Sequence, residues 1–256
     1  MTQTSEQGLS RRERQREATY GEIVSTSRAL LSEGSDLSLR AVASRMGMTA
    51  PALYRYVASY QELVDLVAFE IDKAATEEFR AAAATQPDDD PIAQLICASA
   101  AFRRWALRDT AEFSVVFANP IAESACHQRP ELITAWTSGL YFHGLLIQVW
   151  HETHFAHPDL DDLDPVVAAA LREPLFPVDL AEIPEGHLGL LWPFMQAWAT
   201  LYGTVTLEVF GHMDPRIIES GSLFASMLGD WMPRLGVDDA DGRYRGLLLA
   251  EIARAE

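Results

Sequence analysis

Few stretches of this 256-residue sequence could do bond-making chemistry. The run His151-Glu152-Thr153-His154, followed by His157, sets imidazoles and a carboxylate close together. A zinc peptidase spaces its ligands as His-Glu-x-x-His, so that two imidazoles one helical turn apart share the metal. Here the spacing is His-Glu-x-His, and no thiol or further carboxylate partner is offered. These histidines therefore read as pocket-lining or helix-end side chains, and no metal is assigned. Cys97 and Cys126 match no metal or redox spacing and read as small buried hydrophobes. No nucleophile–base pair is evident, and nothing calls for a cofactor.

What remains is the chemistry of recognition. The net charge of −17 argues at first against a nucleic-acid partner, but its distribution does not. Residues 11–56 carry eight arginines (11, 12, 14, 16, 28, 40, 45 and 55) against five acids, a local balance of +3, which leaves −20 for the rest. Charges separated by more than a Debye length of about 8–10 Å are largely screened, so a basic head on an acidic body can still hold phosphates. Arg11, Arg12, Arg14 and Arg16 alternate with acids and read either as a solvated helix end or as a groove-contacting arm.

The elements that must position these residues are helices. Ser10 and Glu13 form a capping-box pattern, opening a helix to about Leu31 that Gly34 ends. Ser38 caps a second helix, with Leu39, Val42, Ala43 and Met46 on one face; Gly47 breaks it. Thr49 caps a short third helix with Pro51 in its first turn, and Leu53 and Val57 share its inner side. Ser59 and Glu62 repeat the capping box and start a fourth helix to about Ala84. Further helices are predicted over 91–108, 109–118, 127–154, 187–211 and 215–233. Residues 156–186, acidic and holding five prolines, form a long connection with a short helix at Val166–Arg172. No β alternation or internal repeat occurs. The fold class is all-α.

Two short helices joined by a glycine turn, after a longer first helix, make a helix-turn-helix. The stretch Leu39-Arg40-Ala41-Val42-Ala43-Ser44-Arg45-Met46-Gly47-Met48-Thr49-Ala50-Pro51-Ala52-Leu53-Tyr54-Arg55-Tyr56-Val57, with Leu63 on the next helix, resembles the signature of TetR-family regulators. The resemblance spans about residues 20–66. It implies that Thr49, Ala50, Pro51, Ala52 and Arg55 face bases, that Tyr54 and Tyr56 hold phosphates, and that Ser38 and Arg40 meet the backbone. Tyr60 stands where the family usually has a phosphate-contacting lysine. It can donate one hydrogen bond but carries no charge. Read without the resemblance, Tyr54 is a half-buried core tyrosine and Arg55 a solvated surface residue.

Trp198 to His212 resembles, more weakly, the stretch of TetR regulators with the WHG-type C-terminal domain, Tyr202 replacing the usual histidine; Phe113 to Pro120 fits the same subgroup. In that subgroup the last two helices pair with their twofold mates. Helices 187–211 and 215–233 are apolar on more than one face, which independently suits burial against a second copy, with Leu188, Leu191, Met195, Trp198 and Tyr202 on the first and Ile217, Leu223, Phe224, Met227, Leu228 and Trp231 on the second. Trp105, Phe113, Trp136, His143, Trp150, His154, Met195 and Trp198 are the candidate lining of an apolar effector pocket with a few polar groups. Ordinary core packing is the competing reading for each singly. Arg103, Arg104 and Arg108 read as solvated, so a polyanionic effector is disfavoured.

The expectation is a disordered tail (1–10), a DNA-binding head (11–72) and a ligand-binding, dimerising body (73–256). Such a protein would act in the cytoplasm as a homodimeric repressor, with double-stranded operator DNA and a small-molecule effector as partners and no membrane. Two other classes are weighed: a ligand-sensing helical dimer without DNA binding, and a helical enzyme.

Overall fold

The computed structural model describes residues 10–118, 137–174 and 178–254, and all regular structure among them is helical. In chain order the helices are α1 (Arg11–Ser32), α2 (Leu39–Arg45), α3 (Ala50–Leu53), α4 (Tyr60–Ala83), α5 (Pro91–Arg108), α6 (Thr110–Phe117), α7 (Thr137–Thr153), α8 (Pro165–Arg172), α9 (Leu191–Val209), α10 (Pro215–Ser220), α11 (Ser222–Trp231) and α12 (Arg243–Ile252). Residues 1–9 of the expected tail, and residues 127–136 of the expected helix 127–154, lie outside the described residues. No described helix is long and apolar enough to cross a membrane.

The caps form much as their chemistry dictates. The Ser10 hydroxyl accepts from the Glu13 N–H while the Glu13 carboxylate accepts from the Ser10 N–H at 2.7 Å. At α4 the Ser59 hydroxyl accepts from the Glu62 N–H, but the Glu62 carboxylate reaches one residue further back, to the Ala58 N–H at 2.6 Å. α1 packs on α2 and α4, and α2 on α3, with Ile23, Leu30, Val42, Leu53, Val57 and Leu63 buried in the shared core. The far part of α4 packs on α5, α6 and α7. One unbroken helix therefore belongs to both halves of the molecule.

Four expectations are corrected. The predicted helix 215–233 is two helices, because Gly221 adopts φ +61° and turns the chain between α10 and α11. Phe224 and Leu228, predicted for a subunit interface, are buried within the single chain, 0 % and 8 % exposed, since α11 folds back onto α9. Arg103 is buried rather than solvated: it donates to the Glu208 carboxylate at 2.6 Å and to the Ile218 carbonyl at 2.6 Å, and lies over the Phe224 ring. α12 was not anticipated, because its pattern of Leu247, Leu248 and Leu249 among polar residues has no helical stripe. It packs on α5, tied by Arg104 to the Glu251 carbonyl at 3.0 Å. Between 156 and 186, the chain forms a 3-10 turn at Leu160–Asp162 and the expected short helix, α8.

Candidate functional site

In the head, Gly47 at φ +67° takes the left-handed turn that separates α2 from α3, and the Met48 N–H returns to the Ala43 carbonyl at 2.8 Å. Beyond Leu53 the chain continues in helical turns, the Tyr56 N–H donating to the Leu53 carbonyl at 2.8 Å. Leu53 and Val57 anchor this element, being 0 % and 1 % exposed. Their burial directs the opposite side outward. Arg40, Thr49, Pro51, Tyr54, Arg55 and Tyr60 are exposed, while Ser38, Ala50, Ala52 and Tyr56 are half-buried.

The outward face is polar and carries cationic charge. Arg40 and Arg55 make no hydrogen bond or ion pair among the described residues. Arg45 is occupied, forking onto Glu33 at 2.6 and 2.9 Å. The Ser38 hydroxyl accepts from the Ala41 N–H at 3.1 Å, so it is committed to its own helix. Thr49 makes no side-chain cap bond. Tyr54 is 51 % exposed, which disfavours the core reading of this residue. Tyr56 meets Tyr20 edge-on at 5.8 Å, and the Tyr20 hydroxyl donates to the Tyr56 carbonyl at 3.1 Å. Arg16 donates to that same Tyr20 hydroxyl at 3.1 Å. α1 thus braces the segment that follows α3.

In the body the predicted lining residues fall into separate places. Trp105, Phe113 and Trp198 join Phe79, Phe102, Phe117, Phe142 and Tyr202 in one cluster of rings with centroids 5.3–6.2 Å apart between neighbours. Trp198 and Tyr202 stack at 12°, and the Tyr202 hydroxyl donates to the Phe117 carbonyl at 2.9 Å. Trp150 lies at the other end of α7. It is surrounded by His151, His154, His157 and His187, the last only 4.6 Å away between ring centroids. His157 and His187 are hydrogen-bonded through ring nitrogens 2.9 Å apart. His154 sits past the end of α7 at φ 49° and is exposed. Met195 is at the surface, and Trp136 lies outside the described residues. Among the described residues no three His, Cys, Asp or Glu side chains gather closely enough to hold a metal.

His143 stands apart from both groups. It is 5 % exposed, its two ring nitrogens have no hydrogen-bond partner among the described residues, and Phe194 meets it edge-on at 5.4 Å. Burial holds its pKa down to about 4 against a partial opposing pull from Asp179, so the ring is neutral at neutral pH.

Head and body are tied at two places that the sequence did not signal. Arg28 on α1 forks onto Glu112 on α6. Asp72 on α4 accepts from both the hydroxyl and the N–H of Ser138, in the first turn of α7. Both ties pair residues far apart in sequence, for which local spacing carries no signal. A cavity of about 260 Å³ opens between Asp89, Asp90, Glu152, Arg243 and Tyr244, but Asp90 is already satisfied by Arg243 and Tyr244.

No family model matches the chain. It is similar to the HTH-type transcriptional regulators Rv1816 of Mycobacterium tuberculosis and Mb1846 of Mycobacterium bovis, 28 % identical to each over 201 residues, which is 72 % of this chain and 77 % of theirs. Among solved structures it resembles the “putative regulatory protein SCO4313”, with a TM-score of 0.58 and 24 % identity over 88 % of this chain and 100 % of that one. The last likeness establishes the all-α fold alone. The relatives' names support a DNA-binding transcription regulator.

Proposed function

We propose that this chain is a transcriptional repressor of the TetR type. It reads a palindromic operator as a homodimer and releases it when a small, mostly apolar molecule binds the body. The observation that carries the reading is the exposed set Arg40, Thr49, Tyr54 and Arg55 on a two-helix unit fixed from behind by buried Leu53 and Val57, with Tyr60 exposed at the start of α4. Such a unit can place α3 in a major groove and leave Arg40 and the tyrosines at the flanking phosphates. The relatives named as HTH-type regulators support this assignment.

Dimerisation is assigned to α9 with α10 and α11. Met195, Ala199, Gly203 and Leu207 follow one another along α9 at spacings of four residues, Phe210 caps its end three residues on, and Leu207 and Phe210 are 42 % and 43 % exposed. Ile217 and Leu223 extend this apolar surface on α10 and α11. A second copy would bury them across a twofold axis. The head is assigned to 11–72 and the body to 73–256, and the protein to the cytoplasm.

No covalent step is needed. An effector that binds the non-DNA conformation better, by about 1–3 kcal/mol, shifts the population away from the arrangement that spaces the two α3 elements one turn of DNA apart. A gel shift with DNA upstream of the protein's own gene tests the reading. A salt-sensitive, sequence-specific shift supports it; a folded protein that shifts no DNA overturns it.

A further inference from the structure

We infer that His143, backed by Glu182, is the polar anchor of the effector site and selects apolar, non-anionic molecules that present a hydrogen-bond donor. The inference rests on the reading of the body as an effector-binding unit. It adds what that reading leaves open: which polar group of the effector is recognised, and by what.

A buried donor or acceptor left unsatisfied is destabilising, and native chains hold few of them. His143 holds two on one ring, both shielded from water. The ring is neutral, so it carries one N–H and one lone pair. Glu182 decides which nitrogen has which. Its Oε2 lies 3.9 Å from Nδ1, and an ionised carboxylate can only accept. The proton therefore belongs on Nδ1, facing Glu182, and the lone pair on Nε2. Nε2 can then only accept, and its partner must be an O–H or N–H.

The surroundings restrict the rest of the molecule. The Phe194 ring lies edge-on to the imidazole, and Phe155 follows at 6.5 Å from Phe194. Two acids stand near His143 and disfavour an anion there: Asp179, whose field acts on the ring, and Glu182, 3.9 Å from Nδ1. Glu182 is carried on a short turn whose hydrogen bonds are its own: the Asp179 carboxylate accepts from the Ala181 N–H at 2.9 Å, and the Asp179 carbonyl from the Glu182 N–H at 3.2 Å. Moving this turn inward by roughly 1 Å brings Nδ1 and Oε2 to hydrogen-bond distance. Glu182 is thus a positioning residue, which sets the tautomer without touching the effector.

Thymol, thymol methyl ether and para-cymene test the inference, because they share one apolar ring and only thymol has a donor. The ether is larger than thymol and para-cymene smaller, so size alone cannot mimic the expected order. Calorimetric titration of the full-length protein is expected to show thymol binding about tenfold tighter or more than either control, equivalent to about 1.4 kcal/mol. That preference should vanish in His143→Phe and fall in Glu182→Gln. Nitrogen NMR of ring-labelled histidine in the unaltered protein does not depend on either variant folding. It should find the proton on Nδ1 and a shift of the Nε2 signal when thymol is added. Equal affinities, a preference that survives His143→Phe, no binding of any of the three, or a proton on Nε2 would each overturn the inference. The effector reading is judged separately by gel shift. If thymol binds with the donor preference but never releases DNA, the switch fails and the anchor stands. If unrelated compounds release DNA while the thymol series does not bind, the reverse holds.

Discussion

Arg28 on α1 grips Glu112 on α6 through two hydrogen bonds, Nε to Oε1 at 2.6 Å and Nη2 to Oε2 at 3.1 Å. The pair joins residues 84 positions apart and bridges the three-helix head to the body. Glu112 is 13 % exposed at its side chain and Arg28 40 %, so the pair is partly shielded from solvent.

A double-mutant cycle with Arg28→Met and Glu112→Gln should therefore give a coupling energy of about 0.5–1 kcal/mol in urea unfolding, near the upper end for partly exposed pairs. Additive losses would mean that the two side chains are adjacent without mutual stabilisation. Measuring DNA affinity on the same proteins shows whether the pair also orients the head.

Arg55→Ala should weaken binding to the specific site by about 1–3 kcal/mol while hardly altering affinity for random DNA, because a guanidinium forks onto guanine O6 and N7. Equal loss on both would reassign Arg55 to phosphate or solvent.

If the tyrosines hold phosphates as proposed, Tyr54→Phe and Tyr56→Phe should both weaken DNA binding alike on all sequences, since each would remove a donor and no charge. Tyr54 is half exposed, so its replacement should leave the melting temperature unchanged. A clear fall in melting temperature for Tyr54→Phe would contradict that placement.

Subunit association separates two substitutions on neighbouring helices. Leu207→Glu places a charge on the exposed apolar stripe of α9 and should yield folded monomer in light scattering. Leu228→Glu buries an unpaired charge in the chain's own core and should unfold or aggregate it. A folded Leu207→Glu dimer would move the interface elsewhere.

The pH dependence of stability has a defined sign at His143. Its folded pKa of about 4 lies below the ordinary 6.5 because burial disfavours the cation. The unfolded chain therefore binds more protons between these values, and stability falls as pH drops from about 6.5 toward 4, by up to a few kcal/mol. His143→Phe should remove this part of the acid sensitivity. Wild-type and variant curves that run parallel over that window would show that the ring is not held neutral.

Much of this was legible because it is local. Ser10 with Glu13, Ser38, Gly47 and the pair Leu53 and Val57 act within a few residues, so their spacing alone places α1 to α3 and the outward face. The body was less legible. Periodicity marks α9 and α11 as apolar nearly all round but cannot tell burial against a partner from burial of α11 against α9 in the same chain, which is where Phe224 and Leu228 lie. Arg103 looked solvated because its partner Glu208 is 105 residues away. Leu247 to Leu249 gave no stripe, so α12 was missed. His143 was found as one polar aromatic among several; its isolation, and Glu182 beside it, exist only in three dimensions.

The continuity of α4 has a mechanical consequence. Its 24 residues make a rod of about 36 Å, at 1.5 Å per residue, with the head on one end and the body's core on the other. Pivoted at one end, such a rod carries its far tip about 0.6 Å for every degree of tilt. Five degrees thus displaces α3 by about 3 Å, comparable to a whole hydrogen bond. On the proposed reading, a repacking too small to disturb the core would be magnified, at the other end, into a misfit with the groove.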